Sequence, residues 1–349
     1  MKEEKVLLVG DDSYEMYAKA FYNGYRELGY KNVQLFATNH YMVGKGKIGK
    51  FLKRVQNKLA SGYLVDALNK KLLKKVEEDK PELVFFYSSR LIYAKTIKRI
   101  KEMGCKVFMY NNDNPFASYF PKYFWRHYKR GLQYADCGFV YRATNIEDYK
   151  KYGCHNVEWL KSYYIKSKNY YMENPGVEVP EVVFLGHNEA DERGGYIRSL
   201  LSKGITVGVT QRTWEDYETQ NPRVVKLADS HRLYNEMLNA AKIAIVFLSK
   251  INHDTYTRRC FEIPAVKTLM VAPYTEDIAA MFEDGKEAIL YRNEQEFVDK
   301  IVYYLEHEEE RIKIANAGYE RVMRDGHEVC DRIRQVMEIY KNTVSEEKE

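Results

Sequence analysis

Short runs of four or five apolar residues recur along this chain, each followed by a longer stretch with apolar positions at helical spacing. In the first half Val6–Val9, Val33–Phe36, Leu83–Tyr87, Lys106–Tyr110, Gly138–Tyr141 and Val157–Leu160 read as strands. Between them, Tyr14–Leu28 (closed by Gly29), Leu64–Glu78, Ala94–Met103 (ended by Gly104) and Ile146–Tyr152 (stopped by Gly153) read as helices. Strands without polar alternation, separated by helices, indicate a parallel sheet covered on both faces. The pattern breaks between Ser162 and Pro180, a polar, Tyr-rich stretch containing Pro175-Gly176.

The alternation then resumes. Val182–Leu185, Ile205–Val209, Ile243–Phe247, Leu269–Ala272 and Ala288–Tyr291 read as strands. Arg193–Leu201, Ser230–Ala240, Arg258–Ala265, Glu276–Phe282, Glu294–Glu306, Glu308–Met323 and a last segment from about Val329 to Tyr340 read as helices. The expected fold class is α/β, with two Rossmann-like doubly wound domains facing across a cleft. Residues 1–165 form the first domain, 166–180 a linker, 181–325 the second domain, and 326–349 a C-terminal helix able to pack back on the first. In open α/β sheets ligands bind outside the strand C-termini.

The candidate chemistry collects at those ends. Thr257-Arg258-Arg259-Cys260-Phe261-Glu262-Ile263-Pro264-Ala265 sets two guanidinium groups and one carboxylate within five residues, at the start of a predicted helix. Forked, permanently charged Arg donors suit phosphates, and an acid suits the two hydroxyls of a ribose. Helix N–H groups and the dipole would add to them. Surface salt bridging is the rival account of the Arg pair, and an ordinary helix-face charge that of Glu262. The apolar neighbours Phe261 and Ile263-Pro264-Ala265 favour a semi-buried Glu262, which needs a polar partner. Gly186-His187 ends a strand where backbone can approach a phosphate closely, or where a plain turn suffices. Arg212 follows another strand end and is a further phosphate or base contact. Thr275 follows the Leu269–Ala272 strand, as a ligand contact or as a helix N-cap.

Several of these words resemble a known family. Arg259–Ala265, then Phe282-Glu283-Asp284-Gly285-Lys286-Glu287-Ala288-Ile289-Leu290-Tyr291, Tyr304-Leu305, Arg311, Ala317-Gly318, His327 and Arg332 resemble the two-Rossmann-domain (GT-B) glycosyltransferases. More narrowly they resemble the bacterial group related to the spore-maturation protein CgeB. The likeness runs from about Val182 to Ile339, and more loosely through Pro81-Glu82-Leu83-Val84 and the Asp113-Asn114-Pro115 turn. The resemblance implies a glycosyltransferase that moves a sugar from a nucleotide-diphosphate donor, with Glu262 on the nucleotide ribose. The chain departs from the family at Lys267, where a small residue, usually Gly, is common. It departs again at Thr255, seven residues before Glu262, where many related enzymes carry an acid. Such an enzyme needs a base to take the acceptor proton. Asp11 or Asp12, in the loop after the first strand, and Asp113, after the Lys106–Tyr110 strand, are the candidates. Each also fits a cap or turn.

Composition narrows the partners. The chain has 349 residues, a length that favours two domains. No apolar run reaches bilayer-spanning length, and Val6–Val9 is too short for a signal-peptide core, so a cytoplasmic location is expected. The five cysteines include no C-x-x-C pair, which disfavours a disulfide framework or zinc site. No D-x-D element stands at a strand end, so neither a metal nor a separate cofactor is expected beyond the nucleotide-sugar donor. The acceptor would be a glycan, a lipid-linked sugar or a protein. Between Lys45 and Lys75 stand ten Lys or Arg residues and one acid, Asp66. Within this stretch Ile48, Phe51, Leu52, Val55 and Leu59 share helical spacing. Residues 45–59 therefore suit peripheral contact with the inner face of a membrane, or a solvated helix packed on the sheet. No recognised nucleic-acid motif accompanies the charge. Two other readings remain: a nucleotide-sugar epimerase of the same architecture, and a receiver-like signalling protein suggested by Asp11-Asp12. Against the latter, Leu83–Tyr87 ends in Ser88-Ser89, with no acceptor Asp.

Overall fold

A computed structural model describes residues 3–189, 191–210, 214, 221, 223–230 and 232–346. The chain divides into two compact units, residues 1–161 with 329–349, and residues 162–328. The first unit holds a sheet of β1 (Val6–Gly10), β2 (Val33–Ala37), β3 (Leu83–Tyr87), β4 (Lys106–Asn111), β5 (Cys137–Val140) and β6 (Val157–Trp159). The strands run parallel in the order β2-β1-β3-β4-β5-β6, with Val6 opposite both Val33 and Leu83. Every residue of β1 and β3 is buried, as their uninterrupted apolar runs require for strands covered on both faces. The helices are α1 (Ala18–Glu27), α2 (Gly46–Leu59), α3 (Tyr63–Asp79), α4 (Ala94–Glu102), α5 (Arg126–Gly131) and α6 (Ile146–Lys151).

The last helix of the chain, Val329–Glu346, also belongs to this unit. It lies along α1, where a Cβ on Gly24 would fall 2.5 Å from the Ile333 side chain. Glycine thus sets how closely the two helices approach. The Tyr25 hydroxyl meets the Met337 sulfur at 3.6 Å.

α2 is tied to the unit at its C-terminal end. Arg90 donates to the Asn57 carbonyl (2.7 Å) and side chain (2.8 Å), and Arg126 donates to the Ala60 carbonyl (3.2 Å). His127 Nε2 lies 3.0 Å from the same carbonyl. Burial, then the neighbouring Arg126 charge, pushes His127 down from 6.5 to about 4. At neutral pH it is uncharged, and a carbonyl partner requires the proton on Nε2. Between pH 6.5 and 4 the unfolded chain binds this proton and the folded chain does not. Stability is therefore expected to fall as pH drops through that window. Urea midpoints measured across it should decline less steeply for His127→Gln than for the parent.

The second unit repeats the architecture with β7 (Val182–Phe184), β8 (Val207–Thr210), β9 (Val224–Leu227), β10 (Ile243–Ile245), β11 (Leu269–Pro273) and β12 (Ile289–Tyr291). All pair in parallel, in the order β12-β11-β10-β7-β8-β9. The helices are α7 (Arg193–Ser202), α8 (Tyr234–Ala240), α9 (Arg259–Glu262), α10 (Glu276–Met281), α11 (Glu294–Glu306) and α12 (Glu308–Arg324); the helix Val329–Glu346 is α13. The doubly wound α/β class read from the sequence is the one observed, once in each unit. Residues 166–180, read as a linker, are held to α8: Asn235 and Asn239 both donate to the Tyr170 carbonyl at 3.0 Å.

Three details explain sequence features. A Cβ on Gly318 would fall 2.4 Å from the Glu287 carbonyl oxygen, so only glycine lets α12 pass that loop. Lys267 has φ 60°, the left-handed conformation that favours glycine. The helix expected over Arg258–Ala265 is one α turn, Arg259–Glu262, followed by a 3-10 turn over Pro264–Val266. Pro264 lacks an amide hydrogen and its ring opposes a continuing α-helix. All five cysteines are buried and free. Among the described residues no helix is long and apolar enough to cross a membrane.

Candidate functional site

In a doubly wound sheet the loops part where strand order reverses, and ligands bind there. In the second unit the chain steps outward from β7 to β8 and β9, then returns to β10 on the other side of β7. The reversal thus lies between β7 and β10. The loops that follow these two strands carry much of the candidate chemistry.

Gly186 directly follows Leu185 in the loop after β7. A Cβ there would lie 2.6 Å from Arg259 Nη2 and 2.6 Å from the tip of the Phe184 ring. Glycine is therefore what admits the Arg259 guanidinium. Arg259 donates from Nε to the Leu185 carbonyl (2.8 Å) and sits 5.5 Å over the Phe184 ring. The Gly186 carbonyl is taken by the Thr210 hydroxyl (2.9 Å) and the Trp214 indole N–H (3.1 Å). Among the described residues no carboxylate pairs with Arg259, so its outer nitrogens keep their charge at the strand end.

Its neighbour has a different task. Arg258 Nε lies 3.3 Å from Glu262 Oε1, and its guanidinium is 5.6 Å over the Tyr163 ring. The other carboxylate oxygen accepts from the Tyr234 hydroxyl at 2.9 Å. Burial, then the Glu262 charge, pushes the Tyr234 hydroxyl well up, so it stays a donor at any ordinary pH. Glu262 is only 8% exposed, and its partners among the described residues take two of its roughly four lone-pair directions. Cys260, between the two charged groups, is no nucleophile: burial pushes its thiol up to about 12.

Thr275 is an N-cap. Its hydroxyl accepts from the Ile278 amide (3.1 Å) and donates to the Thr255 carbonyl (2.5 Å). Thr255 bonds in turn to the Asp277 carboxylate. His187 is exposed, and its carbonyl accepts from Arg193 at 2.6 Å. Arg212 lies outside the described residues.

Sequence reasoning missed Arg193. Its side chain is 4% exposed and forked onto Asp191, with Nε at 2.9 and 3.1 Å from the two carboxylate oxygens and Nη2 at 2.9 Å from one of them. It also donates to the Leu248 carbonyl at 3.1 Å. One guanidinium thus joins the loop after β7 to the loop after β10, across the point of reversal. A signal was present: Arg193 opens α7, and a cation at a helix N-terminus is disfavoured unless it has a tertiary partner.

The three candidate bases lie in the first unit, at the C-terminal edge of its sheet. Asp11 is exposed and accepts from the Ser13 amide (2.8 Å) and hydroxyl. Asp12 accepts from Asn39 Nδ2 (2.8 Å) and lies 3.2 Å from His40 Nε2. It thereby joins the loop after β1 to that after β2. Asp113 follows Asn111, whose side chain accepts from its amide at 3.1 Å. Beside it, Ser88 adopts φ 48°, and its hydroxyl lies 2.8 and 2.7 Å from the side-chain oxygens of Asn111 and Asn112. Asn111 is 1% exposed, and its Nδ2 finds no hydrogen-bond partner among the described residues. A left-handed non-glycine residue beside an unsatisfied amide marks a strained strand end.

Residues 195–338 match the family model described as glycosyl transferase-like. No curated protein sequence matches the chain. A sucrose-phosphate synthase from Thermosynechococcus elongatus superposes with TM-score 0.74 at 10% identity, covering 98% of this chain and 100% of that one. The Anabaena protein Alr3699/HepE, solved with UDP-glucose, gives 0.67 at 13% identity, with 97% and 99% covered. A Listeria monocytogenes protein described as a candidate UDP-N-acetylglucosamine 2-epimerase gives 0.58 at 9%, with 99% and 97% covered. The chain has the fold of GT-B glycosyltransferases along nearly its whole length, and residues 195–338 carry a glycosyl transferase-like match.

Proposed function

We propose that this protein is a glycosyltransferase that moves a sugar from a nucleotide-diphosphate donor to a hydroxyl acceptor in bacterial surface polysaccharide, lipid-linked or protein glycan synthesis. One observation carries the reading. At the strand-order reversal of the second sheet, Arg259 keeps a cation with no carboxylate partner among the described residues, beside Gly186. Close by on the same turn, Glu262 has acceptor sites that no described residue takes, inside a buried setting.

Transfer breaks the bond between the anomeric carbon and the diphosphate, and the leaving oxygen gains charge. Fixed donors aimed at that charge lower the barrier. Arg259 and the backbone at Gly186 supply them, while Glu262, held by Tyr234 and Arg258, takes the ribose hydroxyls. The acceptor proton needs a base, for which Asp11, Asp12 and Asp113 are the candidates, and no separate cofactor is required. The words from Arg259 to Ala265 and from Phe282 to Tyr291 support a place in the group related to CgeB. The UDP-glucose complex of the similar Anabaena protein makes uridine donors the first to screen.

Glu262→Gln is expected to weaken nucleotide binding tenfold to a hundredfold, about 1.5–3 kcal/mol for lost charge-assisted bonds. Calorimetry with UDP and UDP-sugars checks this. If the parent binds no nucleoside diphosphate at millimolar concentration, the donor-site reading fails. The likeness to a candidate epimerase favours a second reading. Isomerised sugar on incubating the donor without acceptor would select it.

A further inference from the structure

The Lys45–Leu59 segment has no part in the nucleotide chemistry, yet its surface exposes large apolar side chains beside cations. In α2, Gln56 is buried against the unit, its side chain accepting from the Leu64 amide at 2.8 Å. About a third of a turn around the helix, Ile48 is 77% and Phe51 63% exposed, with Leu52 and Leu59 beside them. Lys47, Lys50, Arg54 and Lys58 occupy the flank next to these apolar residues, all exposed. No acid occurs between Lys45 and Asp66.

A second element adjoins the C-terminal end of α2. Arg90, bound to Asn57 at the end of α2, lies 4.1 Å over the Phe124 ring. Phe124 stacks on Phe120 at 5.1 Å, and Phe120 meets Tyr119, which is 66% exposed. Lys122 is exposed in the same loop. A helix with an exposed aliphatic face, a cationic flank and adjoining aromatic rings matches what the boundary between headgroups and acyl chains accommodates. Anionic headgroups complement the charge, whereas a neutral apolar partner would leave these cations unanswered.

We propose that α2 and the Tyr119–Phe124 loop seat the first unit on an anionic lipid bilayer, with Ile48, Phe51 and Leu52 inserted and the lysines on the headgroups. This inference stands apart from the donor-site reading, since vesicle binding is measured without any sugar transfer. The test is co-sedimentation of the full chain with vesicles of phosphatidylcholine alone, or containing about one third phosphatidylglycerol. Binding to the mixed vesicles is expected at low salt, weakening as salt rises. The double variant Ile48→Glu, Phe51→Glu should lose at least about tenfold in partitioning. Lys50→Gln and Arg54→Gln should lose roughly fivefold each. Ile312→Glu, an exposed apolar position in the second unit, should change nothing. Absence of binding to anionic vesicles, or binding indifferent to the double variant, overturns the proposal. So does a concentration-dependent dimer that the double variant abolishes, because a second copy would then cover this face.

Discussion

Replacing Arg259 by Ala is expected to lower kcat for sugar transfer by about 10²–10³-fold, about 2.7–4 kcal/mol of lost transition-state stabilisation. Among the described residues the side chain makes one hydrogen bond, from Nε to the Leu185 carbonyl, and its outer nitrogens meet no carboxylate. Its removal therefore costs the fold little and the developing diphosphate charge a great deal. Arg259→Lys should recover only part of the rate, because an ammonium cannot hold the Leu185 carbonyl and fork onto phosphate oxygens together. Steady-state rates with a donor that binds, alongside unchanged urea midpoints, give the comparison. A variant within about threefold of the parent in kcat would remove Arg259 from the leaving-group role.

The second large effect falls on stability. Arg193→Met should destabilise the second unit by about 3–5 kcal/mol, the usual consequence of leaving one member of a buried ion pair alone. The change strands Asp191 and withdraws a donor from both the His187 and Leu248 carbonyls. Combining it with Asp191→Asn should return part of the loss, since only Glu189, 3.3 Å from the Arg193 guanidinium, then lacks its cation. Denaturant unfolding of the four proteins measures this. If Arg193→Met shifts stability by less than about 1 kcal/mol, Arg193 does not brace the two loops. In the stable fraction the donor affinity should also weaken, because the loop bearing Gly186 has lost its tie to the loop after β10.

The fold was legible because the inner strands of both sheets, such as β1, β3, β7 and β10, are buried on two faces and so read as unbroken apolar runs. The strand β9 escaped notice for the opposite reason. It lies at the sheet edge, where Val225 is exposed and Lys226 half-buried, so no apolar run marks it. Glu262 stood out as an acid in an apolar stretch, and the structure buries it. Tyr234 and Arg193 did not, because their partners are fixed by tertiary approach or hidden among charges typical of a surface. The split of tasks between Arg258 and Arg259 was equally unreadable. Two adjacent residues on a helical turn point about 100° apart, and only the positions of Glu262 and Gly186 decide which takes which.

The helix α13 closes a unit whose other residues end more than 160 positions earlier in the chain. A ribosome adding roughly 5–20 residues per second delivers it on the order of ten to forty seconds after β6. Throughout that interval the surface around Gly24 and Tyr25 has no cover, while residues 162–328 are contiguous and free to collapse as they emerge. Nascent chains should therefore reach a protease-resistant state in the second half first, reversing the usual vectorial order of maturation.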